Sequence, residues 1–284
     1  RSAAQSSVGR RVFAARLTLG ARAARKVMSE HLVVTRADGL LTLRLNRPEK
    51  KNALTRAMYS AMAEALLAAD AEPEVRAVLI TGGAECFTSG NDVADFLEVP
   101  PVSQDSPVFQ FMRALFELKK PIVAAVAGAA VGIGTTLLLH CDLVYVSRCA
   151  KLKMPFVSLG LCPEFGSSLI LPRLLGHAKA AELLLLGESF NGEQATSWGI
   201  ANAVLDDGAA TLEKAEAMAR RFLLLAPSAV AVSKQLMQAP GREELRQVIR
   251  AEGELFGQRL RSPEAIEALS AFIQRRQPDF SKFL

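Results

Sequence analysis

Ala77-Val78-Leu79-Ile80 is a wholly apolar run that ends in Thr81-Gly82-Gly83. Ile122-Val123-Ala124-Ala125-Val126 and Leu143-Val144-Tyr145-Val146 repeat the pattern. Runs this short and this apolar, closed by turn residues, predict strands buried on both faces. Leu32-Val33-Val34 and the stretch from Leu40 to Leu45 predict two more strands around the turn signal Ala37-Asp38-Gly39. Helical spacing fills the intervals. Thr55 opens one helix, with Met58, Ala61, Met62, Ala65, Leu66 and Ala69 on one face. Strands alternating with helices predict an α/β fold with a largely parallel sheet. From about Ala210 the texture changes to helices alone. Leu245, Val248, Ile249, Phe256 and Leu260 form one stripe, and Ser262-Pro263-Glu264 is a helix start with Ser as cap and Pro in the first turn. The expected layout is an α/β core over 28–209 and a helical region over 210–284.

Half of the 284 residues are apolar and 22% are charged, enough for a large core and too apolar for disorder. The net charge of +5 suggests a polyanion partner, but its origin is local. Residues 1–27 hold seven basic groups and no acid; without them 27 basic face 29 acidic residues, a net of −2. No nucleic-acid partner is expected for the body of the protein. The Arg-, Ala- and Ser-rich 1–27 reads either as a transit segment or as appended, upstream sequence, and is set outside the fold. The composition otherwise suits a bacterial cytoplasmic enzyme, with a mitochondrial one as the alternative if 1–27 is a transit segment. Pro121 to Leu139 carries no charge and is long enough to suggest a membrane span. Gly128, Gly132 and Gly134 break it into a buried strand, a tight loop and a buried helix, so no span is expected. Four Cys (86, 141, 149, 162) and three His (31, 140, 177) form no metal-ligand spacing, and no metal site is expected.

Three polar or Gly-rich segments follow apolar runs: Phe87-Thr88-Ser89-Gly90-Asn91-Asp92, Gly128 to Thr136, and Cys162-Pro163-Glu164-Phe165-Gly166. Each has a purely structural alternative. The second lacks both the G-x-G-x-x-G spacing and a following Gly-Lys-Ser/Thr, so nucleotide phosphate binding is not expected. Glu164 could serve only as a first-turn acid facing a helix dipole. Cys162 could be a nucleophile, but no His lies nearby in sequence, and an inert thiol is the better reading.

Together these segments carry a resemblance. Asn46-Arg47-Pro48 with Lys51-Asn52-Ala53-Leu54, then Ser89-Gly90-Asn91-Asp92, then Ala127 to Gly132, then Pro155 with Gly160 and Gly166, resemble the enoyl-CoA hydratase/isomerase (crotonase) superfamily from about Glu30 to the C-terminus. The resemblance implies a spiral of ββα units, a C-terminal helical region used in trimerisation, and an acyl-CoA substrate, with coenzyme A as part of the substrate and no separate cofactor. A homotrimer or a dimer of trimers is the implied assembly.

Hydratases of that family resemble one another in two glutamates, whose positions are taken here by Thr136 and Phe156. The acid left in the equivalent stretch is Glu164, after Pro163. That placement is similar to a Δ3,Δ2-enoyl-CoA isomerase with a single glutamate base. The resemblance then implies backbone N–H groups of Asn91 and Ile133 as an oxyanion hole. It implies contacts to substrate or CoA from Lys51, Asn52, Ala53, Leu54, Ser89, Gly90, Asn91, Asp92, Val93 and Gly132, and an acyl pocket of Thr136, Phe156, Leu161 and Phe165. The implied role is double-bond migration in the β-oxidation of unsaturated fatty acids. The alternatives are another reaction of the family, such as weak hydration or thioester hydrolysis, and an acyl-CoA-binding module without catalysis.

Overall fold

The computed structural model describes residues 27–98, 100, 103 and 105–283; apart from Val27, the expected leader segment lies outside them. β1 (Val27–Ser29) runs into β2 (Leu32–Ala37), and a two-residue turn returns the chain as β3 (Leu40–Leu45). Asp38 and Gly39 supply the two positive φ values, 51° and 86°, that such a turn needs to match strand twist. α1 (Arg56–Ala71) starts where the Thr55 hydroxyl accepts the Met58 N–H, and it buries Met58, Met62, Ala65, Leu66 and Ala69. β4 (Ala77–Thr81) follows, then α2 (Val93–Glu98) and α3 (Pro107–Glu117). β5 (Ile122–Val126), β6 (Ala129–Val131) and α4 (Ile133–Thr136) occupy the uncharged window. Its apolarity therefore serves two strands and a short helix, and among the described residues no helix is long and apolar enough to cross a membrane. The chain continues as β7 (Leu143–Ser147), β8 (Lys151–Lys153), α5 (Ser167–Leu175), α6 (His177–Ala181), β9 (Phe190–Asn191), α7 (Gly192–Ser197) and β10 (Ala203–Leu205). α8 (Gly208–Phe222), α9 (Pro227–Gln238), α10 (Arg242–Arg259) and α11 (Pro263–Ile273) complete it, the last capped by Ser262 onto the Ala265 N–H.

Seven strands form one sheet in the order β1-β2-β3-β4-β5-β7-β10, parallel from β3 to β10. Three form a second sheet in the order β6-β8-β9. The chain passes from the large sheet to the small one and then into a helix, β5 to β6 to α4 and β7 to β8 to α5. Two isolated bridges, Thr88 with Ala130 and Leu54 with Asn91, carry earlier turns of the chain onto the same path. This is the spiral of ββα units that the resemblance implied.

The apolar strands are buried on both faces, as the absence of alternation predicts. Val78, Ile80, Ala124 and Val126 face a core shared with α1 and α3. Leu79, Val123, Ala125 and Tyr145 face the opposite side, where Ala215 and Ala219 of α8 pack against them. The helical stretch after 207 therefore begins as a cover for the sheet. Asp207 fixes its start by accepting the Ala210 N–H at 2.8 Å.

Candidate active site

Glu164 lies just before α5, 4% exposed. The turn that carries it is unusual, because the next two residues, Phe165 and Gly166, both have left-handed backbone (φ 55° and 76°). A large aromatic pays a steric cost in that region, so surrounding contacts must hold it there. The Phe165 ring stacks on His140 at 3.8 Å between centroids. The Phe165 carbonyl accepts from His140 Nε2 at 2.7 Å, so that nitrogen carries a proton. Desolvation pushes His140 down to about 4, with Lys234 and Arg242 adding in the same direction, so the ring stays neutral at ordinary pH. Ser167 donates both its N–H and its hydroxyl to the Glu164 carbonyl.

The Glu164 carboxyl accepts a long hydrogen bond, 3.4 Å, from the Thr136 hydroxyl. Burial pushes its pKa up to about 8, and the nearby Glu252 carboxylate pushes the same way; the Thr136 bond opposes them weakly. It is the sole acid lining a small cavity of about 10 Å³ whose other walls are Phe96, Val108, Phe109, Met112, Phe165, Ile249, Gly253 and Phe256. That is about the room one water takes. A carboxyl in this setting resists charging and is a strong base once charged.

Of the four residues expected around the acyl chain, Phe165 lines this cavity and Thr136 touches the carboxyl. Phe156 stands edge-on to Phe256, which stands edge-on to Phe96 in turn. Leu161 is buried behind the turn, its N–H bonded to the Phe156 carbonyl, and does not line the cavity. The walls the sequence reading missed come from α2, α3 and α10. Their one sequence signal is the cluster of Phe and Met at helical spacing, which any buried helix face would show.

The pair expected to form an oxyanion hole, Asn91 and Ile133, has clear geometry. Asn91 bridges Leu54 so that Leu54 bonds Gly90 and Asp92 on either side, at 2.8 and 2.9 Å. In a parallel bridge of this kind the N–H of the central residue points to the other side of the strand. Ile133 is the first residue of α4, where an N–H has no helical partner. Among the described residues neither N–H finds an acceptor. The two lie on adjacent segments. Thr88 pairs with Ala130, and a Cβ added at Gly90 would come within 2.8 Å of the Val131 carbonyl oxygen. Gly132, the residue before Ile133, has φ 58° and ψ −121°, a conformation glycine adopts readily, and its N–H is held by Lys153.

The other expected contacts divide. Lys51 is exposed and Ser89 and Val93 are partly exposed. Lys51 and Asn52 are both left-handed, and the Lys51 carbonyl takes the Ser89 N–H, so this turn and the Ser89 loop form one unit. Ala53 gives its carbonyl to Arg47, and Leu54 is buried. Asn52 is 2% exposed, and its side chain is used up inside the protein. It accepts the Arg47 N–H and its amide reaches the carbonyls of Gly82, Cys86 and Phe87. Asp92 caps α2 through the N–H groups of Ala94 and Asp95 and pairs with Arg47 at 2.5 Å. Partial burial pushes the Asp92 carboxyl up, and the Arg47 contact overrides it, holding it below the usual carboxylate range. The side chains of Asn52 and Asp92 thus build the loop.

Desolvation, with Glu252 and Glu164 nearby, pushes the Cys162 thiol up to about 11, which leaves it protonated and weakly nucleophilic. Among the described residues no group of three His, Cys, Asp or Glu is placed to hold a metal ion.

The enoyl-CoA hydratase/isomerase family model matches residues 35–282. A human protein named enoyl-CoA delta isomerase 2 is 35% identical over 87% of the chain, which spans 64% of that relative's length. The 1,2-epoxyphenylacetyl-CoA isomerase of Escherichia coli K12 is 34% identical over 89% of the chain and 99% of its own. Among solved structures, OdaA of Pseudomonas aeruginosa is 71% identical and superposes with a TM-score of 0.86, covering 87% of this chain and all of its own.

Proposed function

Because this chain belongs to the enoyl-CoA hydratase/isomerase family, we propose that it moves the double bond of a 3-enoyl-CoA to C2, with Glu164 as the single proton carrier. The observation that carries this reading is the apolar cavity that Glu164 lines. It is the one acid lining that cavity, which has room for about one water, and the resemblance implies that Thr136 and Phe156 take the positions of the hydratases' two glutamates.

The proposed cycle begins with the thioester oxygen held by the Asn91 and Ile133 N–H groups. Glu164, ionised, takes a proton from C2. The electron pair spreads through the dienolate onto the thioester oxygen, where the two donors meet it. Each such donor contributes about 3–4 kcal/mol to transition-state stabilisation. Glu164 then returns the proton at C4. No proton is gained or lost overall, and no co-reactant enters. Lys51 and the partly exposed Ser89 loop are the proposed seat of the CoA moiety. An acyl chain reaches Glu164 only when the aromatic walls from α2, α3 and α10 turn aside, since the cavity otherwise has no room for it.

Product analysis tests the reading. Given 3-enoyl-CoA, the protein should form 2-enoyl-CoA; given 2-enoyl-CoA in water, it should form 3-hydroxyacyl-CoA far more slowly. Hydration at a comparable rate would refute it, and no turnover of either would leave the acyl-CoA-binding module. Run against pH, the same assay should show kcat/KM rising tenfold per unit and levelling above about 8, because the base must first lose its proton.

We further propose a homotrimer or a pair of trimers. α9 exposes Val232, Leu236 and Met237, and the turn before it exposes Leu224 and Leu225, a grouping that reads as an interface. Light scattering should report three or six chains; a monomer at micromolar concentration would exclude the assembly. The Ala-, Arg- and Leu-rich composition supports a bacterial cytoplasm as the compartment.

A further inference from the structure

Glu252 sits in the middle of α10, 6% exposed, and the proposed cycle makes no use of it. A carboxyl on a helix face normally reaches water. This one turns inward and accepts two backbone N–H groups, Gly166 on Oε2 at 2.5 Å and Ser168 on Oε1 at 3.0 Å. These are the cap residue of α5 and a donor of its first turn. Gly166 has no side chain with which to cap its own helix, so the missing acceptor comes from a helix 86 residues further along the chain. The fit is close: a Cβ at Gly166 would lie 2.4 Å from the Leu245 side chain of α10 and 3.3 Å from that of Ile249.

We infer that Glu252 is a positioning residue for Glu164, a carboxylate carried by α10 that fixes the Glu164–Ser168 turn from across the molecule and sets a second negative charge beside the base. The backbone at Phe165 and Gly166 is left-handed and does not hold itself. Glu252 holds it at the Gly166 N–H and His140 at the Phe165 carbonyl. Its functional meaning rests on Glu164 being the base.

The charge has a separate consequence. Two N–H donors and the positive end of α5 favour ionised Glu252. Burial drives its proton affinity up all the same, and the donors oppose that. An anion there disfavours a second anion at Glu164. The other polar groups facing Glu164 are few. Thr136 of α4 donates to it, the Tyr59 phenol of α1 is near enough to feel its charge, and Cys162 lies before it in the chain. Asp95 of α2 acts on Tyr59 from beyond, held by Arg56. The α3 side chains lining the cavity carry no charge. Arg56 is paired with Asp95 and Arg259 of α10 acts on Cys162, and the charge that acts on Glu164 itself is that of Glu252.

The test needs no substrate, so it stands apart from the identity of the reaction. Glu164 and Glu252 are followed by carbon NMR of their carboxyl groups against pH, in the whole protein. Glu252→Gln keeps an acceptor and removes the charge. The Glu164 midpoint is expected to fall by about one pH unit or more. By reciprocity Glu164→Gln lowers the Glu252 midpoint by the same amount. If Glu252→Gln does not fold, the reciprocal variant decides alone, and each resonance of the wild-type pair should show a second inflection at its partner's titration. Unmoved midpoints in folded variants, or single inflections in the wild type, would overturn the inference and leave Glu252 as a helix cap. In the isomerase assay the Gln variant should shift the pH at which kcat/KM levels, which loss of a cap alone would not do.

Discussion

Glu164→Gln is expected to abolish double-bond migration while the protein stays folded and still holds an acyl-CoA. Gln keeps the size and an acceptor for the Thr136 hydroxyl, and it cannot take up a proton. A general base commonly contributes 10²–10⁴ in rate, and one that serves both half-reactions belongs at or above the top of that range. The donors at Asn91 and Ile133 are untouched, so affinity for a saturated acyl-CoA should change little. Stability supplies a second readout with a definite sign. Burial lifts the Glu164 carboxyl from its ordinary 4.5 to about 8, so the folded protein holds a proton that the unfolded chain releases. Wild-type stability should therefore fall as pH climbs from about 4.5 to about 8, by an upper bound of about 5 kcal/mol. The Gln variant has no such group. It should match the wild type near pH 4 and melt higher above pH 8. Turnover above about a tenth of wild type would remove Glu164 from the role. Glu164 lies before the Gly166 cap and not in the first turn of α5; an acid that acted only on that helix dipole would show the opposite stability change, a loss of about 0.3–1 kcal/mol with normal turnover.

Gly90→Ala should cost about 10²–10³ in turnover without touching the base. Gly90 has φ 90°, where any side chain is strained, and the new methyl would press on the Val131 carbonyl oxygen from 2.8 Å. One strand must yield, and each carries one donor of the pair, Asn91 next to Gly90 and Ile133 two residues beyond Val131. Relief of the clash therefore widens the oxyanion hole. The loss should fall on kcat, because the donors matter most when charge reaches the thioester oxygen. The levelling pH should stay near 8, which separates this variant from any change at Glu164 or Glu252. Near-normal kcat in folded Gly90→Ala would dissociate Asn91 and Ile133 from catalysis.

The sheet was legible because its signal is local. Val78 to Ile80, Val123 to Val126 and Val144 to Val146 are apolar in unbroken runs, and only strands covered on both faces need that. Glu164 was legible through the motif around it and through what Thr136 and Phe156 are not. The walls of its cavity were not legible. Phe96, Phe109, Met112 and Phe256 read as ordinary core positions, and the pairing of α2 and α3 with α10 depends on contacts distant in sequence. Asn52 and Asp92 matched a binding motif, yet their side chains brace the loop. A motif marks where the backbone must be held as readily as where a ligand sits. Glu252 gave no signal at all, since a Glu within an exposed-looking helix reads as a solvated face until the fold turns it inward.

The 86 residues between the Gly166 N–H and its Glu252 acceptor also fix an order of events during synthesis. At about 5–20 residues per second, a ribosome needs roughly 4–17 s to make the second partner after the first. Strands β1 to β8 precede Gly166 and β9 and β10 follow within that interval, while the Glu164 turn still lacks its far anchor and the walls from α10. A nascent chain stalled or cleaved before residue 252 can therefore hold most of the fold with an incomplete acid pocket. The proposed activity is therefore expected to arrive late, with the last two helices, and to track the finished C-terminal region more closely than the folded core.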